Sequence, residues 1–380
     1  MRFFILTDIP TQWREPVFER VYRQLGDSFH VVYCKNNEKR RLWHVPLGSQ
    51  PKTILPAITL TFGDNERFFN PGIVPFLLRH RPQIALIFSS IKDPTILLGM
   101  FICRLMGTRL ILMSDTWLGR DRNINRFQKL ARHVVYKWFG DAFVGVSKQT
   151  LVMFRHFNPK VRNDQMFLSP LCADNDYFRS RLEGREVTRR FDVILAGRIV
   201  REKNPLFFAE VCGRIKERLG KCSALIIGEG EEELKAGMRR VFEAQGVDYT
   251  FAGFIQHDAL PDYYAQAKVL LLPTAGDCWG VVINEAMVAG TPVVTTALTA
   301  AAGELVLDGR NGFVLPLEAE LWAERIASLL QSPQTLAAFA ECGSQTVSQY
   351  SFDNASRGIV AAFRYVEGDK GTAGKDRGRN

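Results

Sequence analysis

The chain has 380 residues, an apolar content of 46% and a formal net charge of +9. This length exceeds what one simple hydrophobic core supports, so it predicts two domains, and the composition excludes a disordered or fibrous chain. The charge is uneven: residues 1–180 hold 26 Lys and Arg against 14 Asp and Glu, and the remaining residues hold 23 against 26. The basic half predicts an anionic partner, which is a membrane surface, a nucleic acid or an anionic acceptor.

The seven cysteines are scattered and odd in number, and the chain starts on a strand pattern rather than a signal peptide. These features predict reduced thiols and a cytoplasmic location. Arg104 and Arg109 interrupt the nearest approach to a membrane span, so a buried helix running into a strand is expected there. The histidines lack metal-ligand spacing, which predicts no tightly bound metal and no cofactor; they are His30, His44, His80, His133, His156 and His257.

The first half alternates strand and helix patterns in chain order. Apolar runs without polar alternation predict strands, and segments with 3.6-residue periodicity predict helices. The predicted strands are 2–8, 30–34, 84–90, 109–115 and 141–147, with helices at 16–26 and 96–106. Such strands between helices predict a parallel sheet that is covered on both faces.

Residues 124–140 form a further predicted helix, which is basic and amphipathic. One stripe is apolar, and we expect it to face the sheet; its members are Ile124, Phe127, Leu130, Val134 and Trp138. Basic residues lie on the rest of the helix, namely Arg126, Lys129, Arg132, His133 and Lys137, and Arg120 and Arg122 come just before it. A basic helix with a terminal Trp suits a membrane surface. The alternative is that the cations are merely solvated.

A polar, charged segment at 179–190 predicts an interdomain linker, after which the pattern of strands and helices restarts. The predicted strands are 191–197, 224–230, 248–254, 268–274, 293–296 and 312–316, with a helix at 205–219. The domains are therefore predicted at 1–180 and 181–350, with a closing helix at 351–366 returning towards the first domain. Residues 367–380 are nearly devoid of apolar side chains, which predicts a disordered tail.

Two segments of the second half carry candidate chemistry. Arg198 and Lys203 follow a predicted strand just before a helix starts, where two cations suit a diphosphate. The alternative is a solvated basic turn. In the segment 274–294, Asp277 and Gly280 lie in a loop before an apolar helix that carries Glu285. A helix N-terminus attracts phosphate, so this unit suits a nucleotide with polar hydroxyls, such as a sugar nucleotide.

Five ordered motifs over about 120 residues resemble those of GT-B glycosyltransferases of family 4. They stand here as Gly197-Arg198…Lys203, Ile227-Gly228-Glu229-Gly230, Gly253…Leu260…Tyr264, Asp277…Glu285 and Glu304…Gly309…Gly312. The resemblance implies an α/β fold of GT-B type, in which two Rossmann-like doubly wound domains face a cleft. Asp277 stands where the family usually has Glu, so the sugar preference is expected to differ.

The resemblance also implies roles for single residues. Arg198 and Lys203 would neutralise the donor diphosphate, Asp277 would face the donor sugar, and Glu285 would accept hydrogen bonds from the ribose. Gly280 and Val281 would offer backbone N–H groups, and Glu304 would support the loop. Gly228 and Trp279 complete the expected donor-binding set.

The first half matches the family less well, because the loop at 7–16 lacks the family's usual glycine pair. Trp13 and Arg14 are its acceptor-side candidates, although Trp13 could equally pack on the first helix. Asp115 stands near the place of a family histidine beside the reacting sugar, and it is a catalytic candidate; a structural cap is the alternative.

The chain is thus predicted to be a retaining, metal-independent glycosyltransferase. It would move a sugar from a nucleotide-sugar donor to a lipid-linked, lipopolysaccharide- or exopolysaccharide-type acceptor, in peripheral contact with the anionic inner face of the cytoplasmic membrane. The alternative is a non-catalytic nucleotide-sugar-binding subunit of a glycan-assembly complex. The charge is unaccompanied by helix-turn-helix, RNP-like or zinc patterns, so no nucleic-acid partner is expected.

Overall fold

The computed structural model describes residues 1–37, 45–62, 65–88, 93–120 and 124–368. His44, Arg122 and the predicted tail from residue 369 onwards lie outside these residues. The chain divides into two compact units: Met1–Leu171 with Phe352–Asn380, and Cys172–Ser351. The predicted boundary at 180/181 lies nine residues beyond this division.

The first unit is a parallel α/β sheet with its connecting helices. In chain order its elements are β1 (Phe3–Thr7), α1 (Glu15–Leu25), β2 (Phe29–Tyr33), β3 (Lys52–Ile54), β4 (Ile58–Phe62), β5 (Asn65–Phe69), α2 (Ile73–His80), β6 (Ile84–Phe88), α3 (Pro94–Leu105), β7 (Arg109–Ser114), α4 (Arg126–Trp138), β8 (Ala142–Gly145), α5 (Lys148–Phe157) and β9 (Met166–Leu168). The sheet order is β3-β2-β1-β6-β7-β8-β9, and β4 and β5 form a separate antiparallel pair.

The second unit repeats the architecture. Its elements are α6 (Asn175–Leu182), β10 (Phe191–Ala196), α7 (Pro205–Leu219), β11 (Ser223–Ile227), α8 (Glu232–Gln245), β12 (Asp248–Gly253), α9 (Leu260–Ala265), β13 (Ala267–Leu272), α10 (Val281–Val288), β14 (Val293–Thr295), β15 (Gly312–Val314), α11 (Ala319–Gln331) and α12 (Pro333–Val347). All six strands are parallel, in the order β12-β11-β10-β13-β14-β15. The predicted fold of two Rossmann-like doubly wound domains is therefore confirmed for each unit.

The last helix, α13 (Phe352–Gly368), belongs to the first unit. Its apolar face covers the sheet: the ring of Phe363 lies 5.2 Å from that of Phe3, edge to face. Arg20 on α1 forms an ion pair with Asp353 at 2.6 Å. This helix overlaps the segment 351–366 predicted as a closing helix, and it runs two residues into the segment 367–380, for which disorder is predicted.

The segment that was read as a linker is partly helical. Asp174 accepts a hydrogen bond from the Tyr177 backbone N–H at 3.1 Å and caps α6, whose Phe178 is fully buried. Arg179 and Arg181, the charged residues that the segment shares with α6, are exposed. No helix among the described residues is long and apolar enough to span a membrane.

Candidate active site

The loops that carry most of the candidate donor residues adjoin at the carboxyl edge of the second sheet. The chain runs outward from β10 to β11 and β12, and in the other direction from β13 to β14 and β15, so the topological switch lies between β10 and β13. Open α/β sheets bind ligands at this point. Backbone hydrogen bonds join the loops that follow β10, β11 and β13: Ile199 N donates to Glu229 O at 2.9 Å, and Ala275 N donates to Glu202 O at 2.8 Å.

Glycine is required where the loops after β10 and β11 touch. Gly228 has φ +123, and a Cβ atom on it would lie 1.9 Å from the carbonyl oxygen of Gly197. Any side chain would therefore push the two loops apart, in addition to the strain of a positive φ. The two loops present bare backbone at the switch point, as phosphate sites do. The donor-binding role of Gly228 stays a prediction.

Lys203 and Asp277 form an ion pair across the site. Their side chains are only 16% and 20% exposed, so water screens the pair weakly. Asn204 adopts a left-handed conformation with φ +49 and donates from Nδ2 to the carbonyl oxygen of Pro273 at 2.7 Å. This bond fixes the turn that carries Lys203. Arg198, by contrast, has an exposed side chain.

The helix α10 starts at this edge. Gly280 precedes it with φ +84, and Val281 is its first residue. The first N–H groups of a helix have no acceptor within the helix, so Val281 and the next residue offer donors to an anion. A Cβ atom on Gly280 would lie 3.2 Å from Leu272 and Ile283, which leaves little space for a side chain.

The side chain of Trp279, which was expected to bind the donor, lies in the core instead. Its side chain is 1% exposed, and Nε1 donates to Oδ1 of Asn284 at 2.8 Å. The ring lies 5.4 Å from that of Tyr350, and the carbonyl oxygen accepts from Thr299 Oγ1 at 2.5 Å. The indole is therefore a core support for the loop, because its large apolar surface is more stable in the sheet–helix layer than against a polar ligand.

Glu285 is buried on α10 and receives a hydrogen bond from Tyr264. Tyr264 belongs to one of the five motifs, but the sequence assigned it no role. Tyr264 OH donates to Oε2 of Glu285 at 2.6 Å. Burial raises the pKa of Glu285 to about 7, and the hydrogen bond from Tyr264 opposes this rise. Burial also raises the pKa of the Tyr264 hydroxyl. Tyr264 lies in one of the five motifs, and its fixed spacing from Leu260 was the signal for it.

Glu304 lies beside the same loop. Its carbonyl oxygen accepts a hydrogen bond from Tyr350 OH at 3.2 Å, and the ring of Tyr350 packs on Trp279. This contact agrees with a supporting role for the segment.

The candidates of the first unit differ in their exposure to solvent. Trp13 is half-buried, and Asp115 is exposed after β7. Arg14 is 5% exposed, with its guanidinium 5.2 Å from the centre of the Phe88 ring. Arg14 is thus less accessible to an acceptor than Trp13, and its acceptor-side role stays a prediction.

A cluster that sequence reasoning missed lies at the carboxyl edge of the first sheet. Asp8, Cys34 and Asp93 come from three separate loops, and their ligand atoms lie within 4.8 Å of one another. Asp93 caps α3, accepting from Thr95 N at 2.9 Å. Burial, and then the nearby carboxylates, raise the pKa of the Cys34 thiol, which disfavours the thiolate that a metal would need. The three residues are far apart in the sequence, so no local motif indicated this cluster.

The orientation of α4 was predicted wrongly. Its apolar stripe faces solvent, with Phe127 77% exposed and Trp138 65% exposed. The residues that face the core are Arg132, Val135 and Tyr136. Arg132 lies over the ring of Phe157 at 5.8 Å, so it is a packed residue and not a surface cation.

Comparison with known proteins agrees with this geometry. Residues 190–332 match the family model described as "Glycosyl transferases group 1". All five motifs lie within the matched residues. The chain is 25% identical over 199 residues to alpha-D-kanosaminyltransferase of Streptomyces kanamyceticus, which covers 51% of each chain. The chain therefore spans about half the length of this curated relative.

Solved structures extend the likeness in fold to nearly the whole chain. Anabaena Alr3699/HepE, solved in complex with UDP and glucose, superposes with a TM-score of 0.71 at 16% identity, covering 96% of this chain and 99% of that one. WaaG, a glycosyltransferase involved in lipopolysaccharide biosynthesis, gives 0.66 at 12% identity, covering 94% and 98%. The chain has the GT-B fold.

Proposed function

We propose that this protein is a retaining, metal-independent glycosyltransferase of family 4 that uses a nucleotide-sugar donor. The observation that carries the proposal is the placement of Lys203, Asp277 and Glu285 at the switch point of a sheet that matches the group 1 family model. The UDP and glucose in the structure of Alr3699/HepE support a nucleotide-sugar donor. Fold alone does not define a reaction, so the proposal depends on these side chains.

The site is built to stabilise negative charge on a leaving diphosphate. Lys203 already holds an anion, the carboxylate of Asp277, in a weakly solvated place. A donor diphosphate competes with Asp277 for the ammonium, and the exposed guanidinium of Arg198 supplies a second cation. When the sugar–phosphate bond breaks, both cations and the N-terminus of α10 stabilise the charge that develops. Asp277, released from Lys203, then faces the sugar.

The other end of the donor is held by Glu285. A ribose offers hydroxyl donors, and a carboxylate accepts them. Burial raises the pKa of Glu285 to about 7, so its charge is costly without such donors. Donor hydroxyls therefore stabilise the ionised form, and the hydrogen bond from Tyr264 fixes one of its two oxygens.

The acceptor is proposed to be lipid-linked or of the lipopolysaccharide or exopolysaccharide type, at the cytoplasmic face of the membrane. The basic first 180 residues support an anionic acceptor or surface. The likeness in fold to WaaG, which acts in lipopolysaccharide biosynthesis, supports the same class. The acceptor-side residues remain Trp13 and Asp115, both of which contact solvent.

The test is transfer from radiolabelled nucleotide sugars to bacterial lipid extracts, with EDTA present and absent, followed by NMR of the new anomeric centre. The proposal expects one donor to be consumed, an unchanged rate in EDTA and the same anomeric configuration in donor and product. A product with the inverted anomeric configuration would overturn the retaining mechanism, and a rate abolished by EDTA would overturn metal independence. Nucleotide binding without turnover against any extract would instead favour the non-catalytic subunit.

A further inference from the structure

Helix α3 exposes an apolar stripe. Leu97, Phe101 and Leu105 follow one another at a spacing of four residues, and they are 38%, 52% and 69% exposed. The opposite face packs into the sheet through Ile96, Met100 and other fully buried residues. A helix that is apolar on all sides is ordinarily covered on all sides. This one, which the sequence identified as the nearest approach to a membrane span, is covered on one side.

Helix α4 exposes a second stripe, which includes Phe127, Leu130 and Trp138 at 77%, 60% and 65% exposure. Single exposed apolar residues are common on protein surfaces, but large aromatic side chains at helical spacing are not. The core of the unit is closed beneath them by Val135 and Tyr136, so the stripe has no packing role within this unit.

The two stripes belong to one surface. α3 connects β6 to β7 and α4 connects β7 to β8, so right-handed crossovers place them side by side on the same face of the sheet. Arg104 joins their ends, donating to the carbonyl oxygen of Trp138 at 3.2 Å and pairing with Asp141 at 2.8 Å. We call this surface the two-helix apolar face; it comprises Leu97, Phe101, Leu105, Phe127, Leu130 and Trp138.

The charges around this face favour one kind of partner. Neither helix contains an acidic residue, and α4 exposes Arg126, Lys129 and Lys137 beside the stripe. The Lys137 ammonium lies 5.4 Å from the ring of Trp138, so the apolar ring and the cation share one end of the helix. Trp beside cations is typical of the boundary between lipid headgroups and acyl chains.

We propose that the two-helix apolar face inserts into the acyl region of an anionic lipid bilayer. The proposal rests on the membrane-bound acceptor of the proposed function and goes beyond it, because the attachment is then hydrophobic as well as electrostatic. Lipid chains cover the apolar residues, and Arg126, Lys129 and Lys137 contact headgroup phosphates. A protein partner or a second copy of the chain is the competing occupant.

The test uses the full chain with vesicles of phosphatidylcholine, alone and mixed with phosphatidylglycerol, in low and high salt. The variants are Phe101→Ser/Leu105→Ser and Phe127→Ser/Leu130→Ser, and Leu317→Ser is the matched control because it is exposed in the second unit. Each side chain that leaves a lipid environment weakens binding by about tenfold or more. A Trp138→Phe variant reports insertion directly, since quenching by brominated lipids then decreases.

The expected result is vesicle binding that survives high salt, falls in both double variants and is unchanged in Leu317→Ser. The proposal would be overturned if high salt abolished vesicle binding while the double variants still bound like the wild type. That result would indicate electrostatic contact alone. Equally contradictory is a wild-type dimer, seen by light scattering, that the double variants convert to monomer. Stabilisation by nucleotide, measured on the same variants without vesicles, should be unaffected. If the nucleotide does not stabilise the wild type either, that result would count against the proposed function instead.

Discussion

The carboxyl edges of the two sheets carry different chemistry on the same architecture. In the second unit the edge pairs Lys203 with Asp277 and places the buried Glu285 nearby on α10, and these residues fall in recognisable motifs. In the first unit the edge gathers Asp8, Cys34 and Asp93 from separate loops. The proposed donor site coincides with motifs of fixed spacing. The three residues at the edge of the first sheet fall in no such motif.

The largest expected effect tests the backbone of the donor edge. Gly228→Ala should destabilise the protein by about 1–3 kcal/mol through backbone strain and by about as much again through overpacking against Gly197. Gly197→Ala is the matched control, because Gly197 has nearly the same φ of +122 and nothing within 4 Å of the added methyl group. Urea denaturation measures the difference. Equal losses in the two variants would refute the close approach of the loops.

Lys203→Ala should lower the rate of transfer by roughly 10²–10³, as the loss of one group that stabilises transition-state charge typically does. Asp277 would also lose its partner. Arg201→Ala serves as the control, since Arg201 lies on the same turn with a side chain that is 80% exposed. Steady-state kinetics with the preferred donor decides the point, and an unimpaired Lys203→Ala enzyme would remove Lys203 from the site.

The pH dependence of stability should reveal Glu285. Its pKa is about 7 in the folded protein and 4.5 in the reference state, so the folded protein holds a proton that the unfolded chain releases in between. Stability should therefore fall by about 3 kcal/mol as pH rises from 4.5 to 7, and this slope should flatten in Glu285→Gln.

Tyr264→Phe is the companion variant for this measurement. It removes the hydrogen bond that lowers the pKa of Glu285, so the fall in stability should extend to higher pH. Thermal melts across this range give both results. Identical slopes in the wild type and in Glu285→Gln would show that another group titrates.

The smallest effect concerns the first unit. Trp13→Ala should slow transfer to the acceptor by up to about tenfold, which is the scale of one aromatic contact. Stabilisation by the nucleotide should be unchanged, because Trp13 lies in the other unit. Parallel melts and transfer rates measure both. A lost nucleotide response in Trp13→Ala would end the assignment of donor and acceptor to separate units.

Sequence patterns predicted the parts of the fold that local signals determine. The helix predicted at 205–219 is observed as Pro205–Leu219, because Pro205 starts it and Gly220 ends it in a left-handed conformation. Long-range packing lay beyond such signals. Periodicity identified the apolar stripe on α4, but it carried no information on whether protein or solvent covers that stripe. Likewise, the family resemblance placed Trp279 in the expected donor-binding set, and only the fold shows its side chain in the core.

Nucleotide binding at the second unit is the central claim, and a thermal-melt panel tests it most directly. The panel contains UDP, GDP, ADP, CMP and their common sugar conjugates, applied to the wild type, Lys203→Ala and Arg201→Ala. A ligand at 100 times its dissociation constant adds about 2.7 kcal/mol of stability. The account predicts stabilisation by one nucleotide and its sugar conjugate, retained in Arg201→Ala and lost in Lys203→Ala. Stabilisation by none of them, or an equal response in all three proteins, would contradict it.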